Sequence, residues 1–250
     1  MLEQTFNTPL PLNLEVDIPS GDIEIETADG EESRVSVDAD ERLLADVEIR
    51  QDGNRVVVSY RGKGSFGFSF GSFFGRDGLR VRASIPHGAS VKVKTASADT
   101  NVAGRLSALQ VNSVSGDIQV RGEVSGDAVL KTVSGDARLE GVGGKVSAQT
   151  VSGDVRVAST GGSLDTKTVS GDIRCESVRQ GEVHFSSVSG DIEIGIAAGS
   201  LIDVDAGSTS GDLSSEVPLG SVPEVGGENG APMVVVRGRT TSGDVRIFRA

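Results

Sequence analysis

The 250-residue sequence has no Trp, one Tyr, one Cys and two His, and it is short of basic charge, with 24 Lys+Arg against 36 Asp+Glu for a formal charge of -12. Each scarcity excludes something. A single Cys forbids an intramolecular disulfide framework, so the fold does not depend on the redox compartment. Without clustered Lys and Arg there is no footprint for a phosphate backbone or an anionic lipid surface, and no nucleic-acid partner is expected. No apolar run approaches the roughly 20 residues a membrane helix requires. The opening MLEQTFNTPLPLNLEVDIP has neither a basic start nor a long apolar stretch, so a cytoplasmic protein is expected, with envelope association through a partner as the alternative. Amphipathic helical patterns are scarce as well, the one doubtful case being Asp38–Ile49.

Glycine and short apolar alternations are abundant. Hydrophobic residues make up 36% of the chain, and the 34 Gly bring the apolar-plus-Gly share to about half, the norm for a folded domain. The tripeptide Ser-Gly-Asp recurs with its glycines at Gly116, Gly135, Gly153, Gly171, Gly190, Gly211 and Gly243, spaced by 19, 18, 18, 19, 21 and 32. A degenerate copy lies at Ala98-Asp99, and Ser20-Gly21-Asp22 stands alone. Three residues before each glycine stands a hydroxyl, as in Ser113, Thr132, Thr150, Thr168 and Ser187. The positions one and three after each Asp are mostly apolar and the one between is polar, as in Val155/Val157 and Ile192/Ile194, which describes a short strand with one buried face. A second glycine column, Gly126, Gly144, Gly162, Gly181 and Gly199, runs half a period out of phase and leads into another apolar alternation.

A unit of this size cannot bury its apolar face alone, whereas stacked copies about 4.8 Å apart form a continuous core. The expected fold is therefore all-β, a single parallel β-solenoid (β-helix or roll) with turns of about 18 residues and handedness unassigned. A hexapeptide winding fits Val151, Val157 and Val169 but is broken by Ser163 and Gly181, which favours a flattened, two-sided roll. Along the chain, 1–62 reads as N-terminal strands and a cap, 63–78 as a Gly/Phe loop, 79–214 as regular repeats, and 215–250 as an inserted loop followed by C-terminal strands.

The repeat corners Gly116, Asp117, Gly135, Asp136, Gly153, Asp154, Gly171, Asp172, Gly190 and Asp191 read as structural. Stacking lines their carboxylates along one edge, and each Asp is expected to relieve the repulsion by accepting backbone N–H bonds within its own turn. A calcium-binding edge is disfavoured because the second, carbonyl-supplying glycine-rich half is missing. Arg138, Arg156, Arg174 and Arg246 stand two residues after a column Asp, and each is expected to reach the Asp of the next turn as a charge ladder. Cys175 falls in an inward column. His87 and His184 have no Cys or His at ligand spacing and no orienting carboxylate is recognisable for either. Gly-x-Ser-x-Gly elbows and Walker loops are absent, so no catalytic, metal or cofactor site is expected. The remaining candidate is the loop holding Phe66, Phe68, Phe70, Phe73 and Phe74, which suits a cap, an insertion into a partner groove or membrane surface, or a flexible and inert loop.

With SVSGDIQV, TVSGDARL, TVSGDVRV, TVSGDIRC, SVSGDIEI and the opening LEVDIPSGDIEIE in view, the chain resembles a bacterial putative-adhesin family of unknown function recognised by such β-strand repeats. The resemblance spans nearly the whole chain and implies no catalytic residue. It points to a non-enzymatic interaction protein that docks a protein or envelope partner, or associates with itself, through its β faces or the Phe loop. The alternative is a scaffold that polymerises end to end, similar to the bactofilins. A β-helix enzyme such as a polysaccharide lyase ranks last, because the charges follow the repeat instead of gathering in a cleft.

Overall fold

The computed structural model describes residues 1–62, 79–216 and 232–250. Successive turns stack as parallel strands in register. Ala137–Val142, Val155–Thr160 and Ile173–Val178 lie side by side, pairing Ala137 with Val155 and Val155 with Ile173. Half a turn away, Ala128–Lys131, Val146–Gln149 and Leu164–Lys167 do the same. Strand alternation then sorts the side chains. Ile118, Ala137, Val155, Ile173, Ile192 and Val245 form one buried file, and Val120, Leu139, Val157, Cys175, Ile194 and Ile247 another.

A further inward file, Val124, Val142, Thr160, Val178 and Ile196, follows in register. A register shift accounts for the uneven spacing in the sequence. Ile118 pairs with Ala137, 19 residues on, yet Val124 pairs with Val142, 18 residues on, so the extra residue is absorbed as a bulge. The same happens between Cys175 and Val178.

At the N-terminal end, Asn13–Ala28 lies parallel to Ala89–Asn112, both strands running through a corner. Arg55–Tyr60 and Leu79–Pro86 cover its other side, also parallel. The outermost strands reverse direction: Glu32–Asp38 and Leu2–Asn7 add antiparallel beyond Leu79–Pro86, and Val47–Asp52 beyond Arg55–Tyr60. The doubtful helical pattern contains a single helical turn, Glu41–Leu44, with no buried residue.

The C-terminal end departs from chain order. Met233–Ser242, the first strand after the inserted segment, lies between Gly181–Ser189 and Leu201–Ser210. Likewise Val245–Arg249 lies between Ile192–Ile196 and Leu213–Ser215. Charge and volume explain the order. Arg237 faces Glu182 at 3.7 Å, a pair that chain order would separate, whereas Arg239–Asp205 and Arg246–Glu216, each at 2.7 Å, join layers that are neighbours in either order. Stacked in chain order, Glu182 would stand beside Asp203, the residue now separated from it by Val235. Gly238 leaves room for the Phe185 ring, since a Cβ there would come within 2.6 Å of it. Val234, Val236, Val245 and Ile247 are fully buried, whereas Leu213 in the end layer stays 38% exposed.

Candidate interaction surface

The surface that the repeat builds is its Thr/Ser-Val-Ser-Gly-Asp corner. The hydroxyl comes first and turns inward: Ser113, Thr132 and Ser187 are buried and each donates to the carbonyl of the residue two further on. The serines before the glycine column bridge turn to turn, from Ser97, which follows Ala96, through Ser115, Ser134, Ser152 and Ser170 to Ser189. The glycine then lies directly over the preceding turn. Gly153 has φ 149°, and a Cβ on it would come 2.3 Å from the Gly135 carbonyl oxygen, so only glycine fits. In the second column Gly181 and Gly199 have positive φ, but Gly126, Gly144 and Gly162 do not.

The Asp column behaves differently from expectation, because the backbone N–H that each carboxylate accepts comes from the next turn and not from its own. Oδ1 of Asp99 accepts the backbone N–H of Asp117 at 2.9 Å, Asp117 that of Asp136 at 2.9 Å, and Asp136 that of Asp154 at 3.0 Å. Asp154 and Asp172 continue the ladder to Asp172 and Asp191, and Asp191 and Asp244 carry it through the intercalated layer to Asp212. Strand stacking brings the next turn's N–H within hydrogen-bond reach of each carboxylate, which offsets the repulsion. The bond from Asp154 N–H is the main reason the Asp136 carboxyl is held below its usual range, with Arg138 adding to it against the opposing effect of burial.

The Arg ladder is corrected too. Arg138 and Arg156 pair with Asp136 and Asp154 of their own turns, at 2.7 and 2.8 Å, and Arg156 also lies 3.9 Å from Asp136 of the turn before. Arg174 pairs with Glu193, and Arg246 with Glu216.

Sequence reasoning missed the valines. Val114, Val133, Val151, Val169 and Val188 stand in one file on the corner, each 46–53% exposed. That also separates Val151 and Val169 from the buried Val157, against the hexapeptide grid. The signal was present: alternation runs inward at Val146, Ala148 and Thr150, so Val151 must point out. Beside the file runs a shallow groove of about 340 Å³, lined by Lys131, Gln149 and Lys167 on one side and Val151 and Val169 on the other. Neither Lys makes an ion pair among the described residues.

The other candidates are occupied or elsewhere. Cys175 is fully buried, and burial pushes its thiol up to about 12. His87 does have a carboxylate nearby, contrary to expectation: Nε2 lies 3.5 Å from Asp29 Oδ1 and Nδ1 lies 2.6 Å from Thr27 Oγ1. Thr27 Oγ1 also accepts the Arg105 N–H at 2.9 Å, and the Asp29 side chain is 98% exposed. These bonds tie the Thr27 strand to the Arg105 corner. His184 is exposed. Glu15 is engaged by Arg55, by Lys92 at 3.3 Å and by Lys94 at 4.0 Å, and the Arg55 guanidinium foremost lowers its pKa. Among the described residues no cluster of three metal-ligating side chains occurs, and no helix is long and apolar enough to cross a membrane. The loop of Phe66, Phe68, Phe70, Phe73 and Phe74 lies outside the described residues.

The Toastrack DUF4097 family model matches residues 12–248. Among solved structures, a protein of Bacteroides fragilis described as a putative adhesin superposes with a TM-score of 0.55 at 12% identity, covering 98% of this chain and 96% of that one. A Parabacteroides distasonis protein described as a putative lipid binding protein shares 15% identity, with a TM-score of 0.38 and coverage of 98% and 96%. A Clostridium sporogenes protein described as a putative cell adhesion protein aligns over 100% and 99% at 11% identity, with a TM-score of 0.28. No curated protein matches the chain.

Proposed function

The chain belongs to the Toastrack DUF4097 family, and we propose that it is a non-enzymatic interaction protein whose docking edge for a protein partner is the valine file. One observation carries this. Five valines are half exposed in a row at a place where the fold does not require an apolar residue, because Ala96, Thr209 and Thr241 fill the same column in other turns. Single exposed valines need no explanation, but a contiguous apolar file beside uncompensated lysines has the composition of a contact surface. The compartment we take for it is the cytoplasm, with the envelope reached through the partner.

A photo-crosslinking residue at Val151, compared in cells with the same residue at Arg156 on the adjoining face, tests the proposal. An adduct specific to position 151 is expected. Equal adducts at both positions, or none, would remove the valine file as a docking edge.

End-to-end assembly is the second reading, favoured by the terminal layer. Among the described residues Leu201–Ser210 pairs along one side only, leaving Leu201 40% and Leu213 38% exposed. It predicts open-ended growth instead of a closed complex.

A further inference from the structure

We infer that the partner of the valine file is a second copy of this chain, docked file to file with both solenoid axes pointing the same way. The inference rests on the proposed docking edge and names what occupies it. Across that edge the surface is asymmetric. Lys131 and Lys167, without ion pairs among the described residues, form one bank of the groove and the valines form a ridge beside it; beyond the ridge lies the Asp column, in which Asp136 and Asp154 are held by Arg138 and Arg156 while Asp117 and Asp172 make no ion pair among the described residues.

A two-fold axis parallel to the solenoid sets the ridge of each copy into the groove of the other. It also brings the Lys bank of one copy towards the Asp column of the other. A two-fold axis across the solenoid would instead press ridge on ridge and Lys on Lys, so shape and charge select the same arrangement. Such a contact is isologous and closes on itself. The apolar file ends at Ala96 on one side and at Thr241 and Thr209 on the other, so it spans four strand spacings, roughly 19 Å. That length suits a single pair of modest affinity, at the small end of specific interfaces.

Sedimentation equilibrium of the full chain, from about 5 μM to about 1 mM, measures the association. A monomer–dimer equilibrium is expected within that range. Replacing Val133, Val151 and Val169 with Thr, the residue that already fills this column at 209 and 241, is expected to weaken it at least about tenfold with the melting temperature retained. Lys131→Glu with Lys167→Glu is expected to weaken it by at least as much.

Single spin labels at Asn112, Gln149 or Ser186, one outward column along the stack, report orientation in the dimer. One common label-to-label distance at all three supports the parallel pair. A short distance at Gln149 with longer ones at the ends would overturn it. A monomer at every concentration, a dimer indifferent to the Val→Thr changes, or growth beyond the dimer would each overturn it as well. If position 151 crosslinks to a different protein while the purified chain stays monomeric, self-pairing falls and the docking edge stands. With no adduct at 151, the docking edge itself falls.

Discussion

Asp136→Ala and Asp136→Asn separate the two jobs of the column carboxylate. Oδ1 of Asp136 accepts the part-buried N–H of Asp154 at 3.0 Å, and Oδ2 accepts from Arg138 at 2.7 Å. A hydrogen bond to a charged group contributes about 1.5–3 kcal/mol, and an exposed ion pair about 0–1 kcal/mol. Ala removes both and strands the Asp154 N–H, so it should cost about 2–3 kcal/mol. Asn keeps an oxygen acceptor and loses only the charge, so it should cost about 1 kcal/mol. In a chain of this size each kcal/mol corresponds to roughly 2–4 °C in Tm, and urea midpoints should follow the same order.

The sign of the pH dependence follows from the lowered pKa. The bond favours the ionised form, so its contribution is complete above the unfolded carboxylate value of about 4 and fades as pH falls through the lower folded value. Asp136→Asn should therefore flatten the acid limb of the stability curve below about pH 4. If Ala and Asn cost the same, and no more than Arg138→Gln, the cross-turn bond contributes nothing and the explanation of the Asp column is wrong.

Three other expectations follow from the same packing. Gly153→Ala meets both a positive φ and the Gly135 carbonyl, and should lose about 3 kcal/mol or more; Gly199→Ala, with open space around it, should lose only about 1 kcal/mol, as read from urea midpoints. Gly238→Val should loosen the intercalated layer by driving a side chain into the Phe185 ring, and Phe185→Ala in the same chain should recover part of the loss; additive costs in the double-mutant cycle would contradict the contact. Cys175, with its thiol raised to about 12 by burial, should resist a thiol reagent at pH 8 in the native protein and react fully in urea.

Much of the architecture is legible in the sequence because one period governs it. The in-register pairing of Val155 with Ile173 follows from repeating apolar positions, and glycine at the corners follows from backbone approaching backbone. What escaped depended on relations between turns or on subtle counting. An Asp in a tight turn ordinarily bonds locally, and only the stacking at about 4.8 Å brings the next turn's N–H within its reach. Val142 and Val178 of the further inward file were hidden because each falls three residues, not two, after the preceding inward residue, Leu139 or Cys175. The exposed Val151 was overlooked because valine suggests core, although the alternation from Val146 already pointed it outward. The intercalation of Met233–Ser242 could not come from periodicity, since each layer carries the same repeat; it is favoured by Arg237 meeting Glu182 and by Gly238 making room for Phe185.

Pulsed electron-spin distances along one outward column test the stacking and its reversed end together, in a Cys175→Ala background. Gln119, Arg138, Arg156, Arg174, Glu193, Arg246 and Ser214 occupy successive layers of that column. At about 4.8 Å per layer, a label at Gln119 should lie roughly 24 Å from one at Arg246 and roughly 29 Å from one at Ser214. Finding Ser214 nearer than Arg246 would contradict the intercalated order, and separations unrelated to layer number would contradict the stack itself.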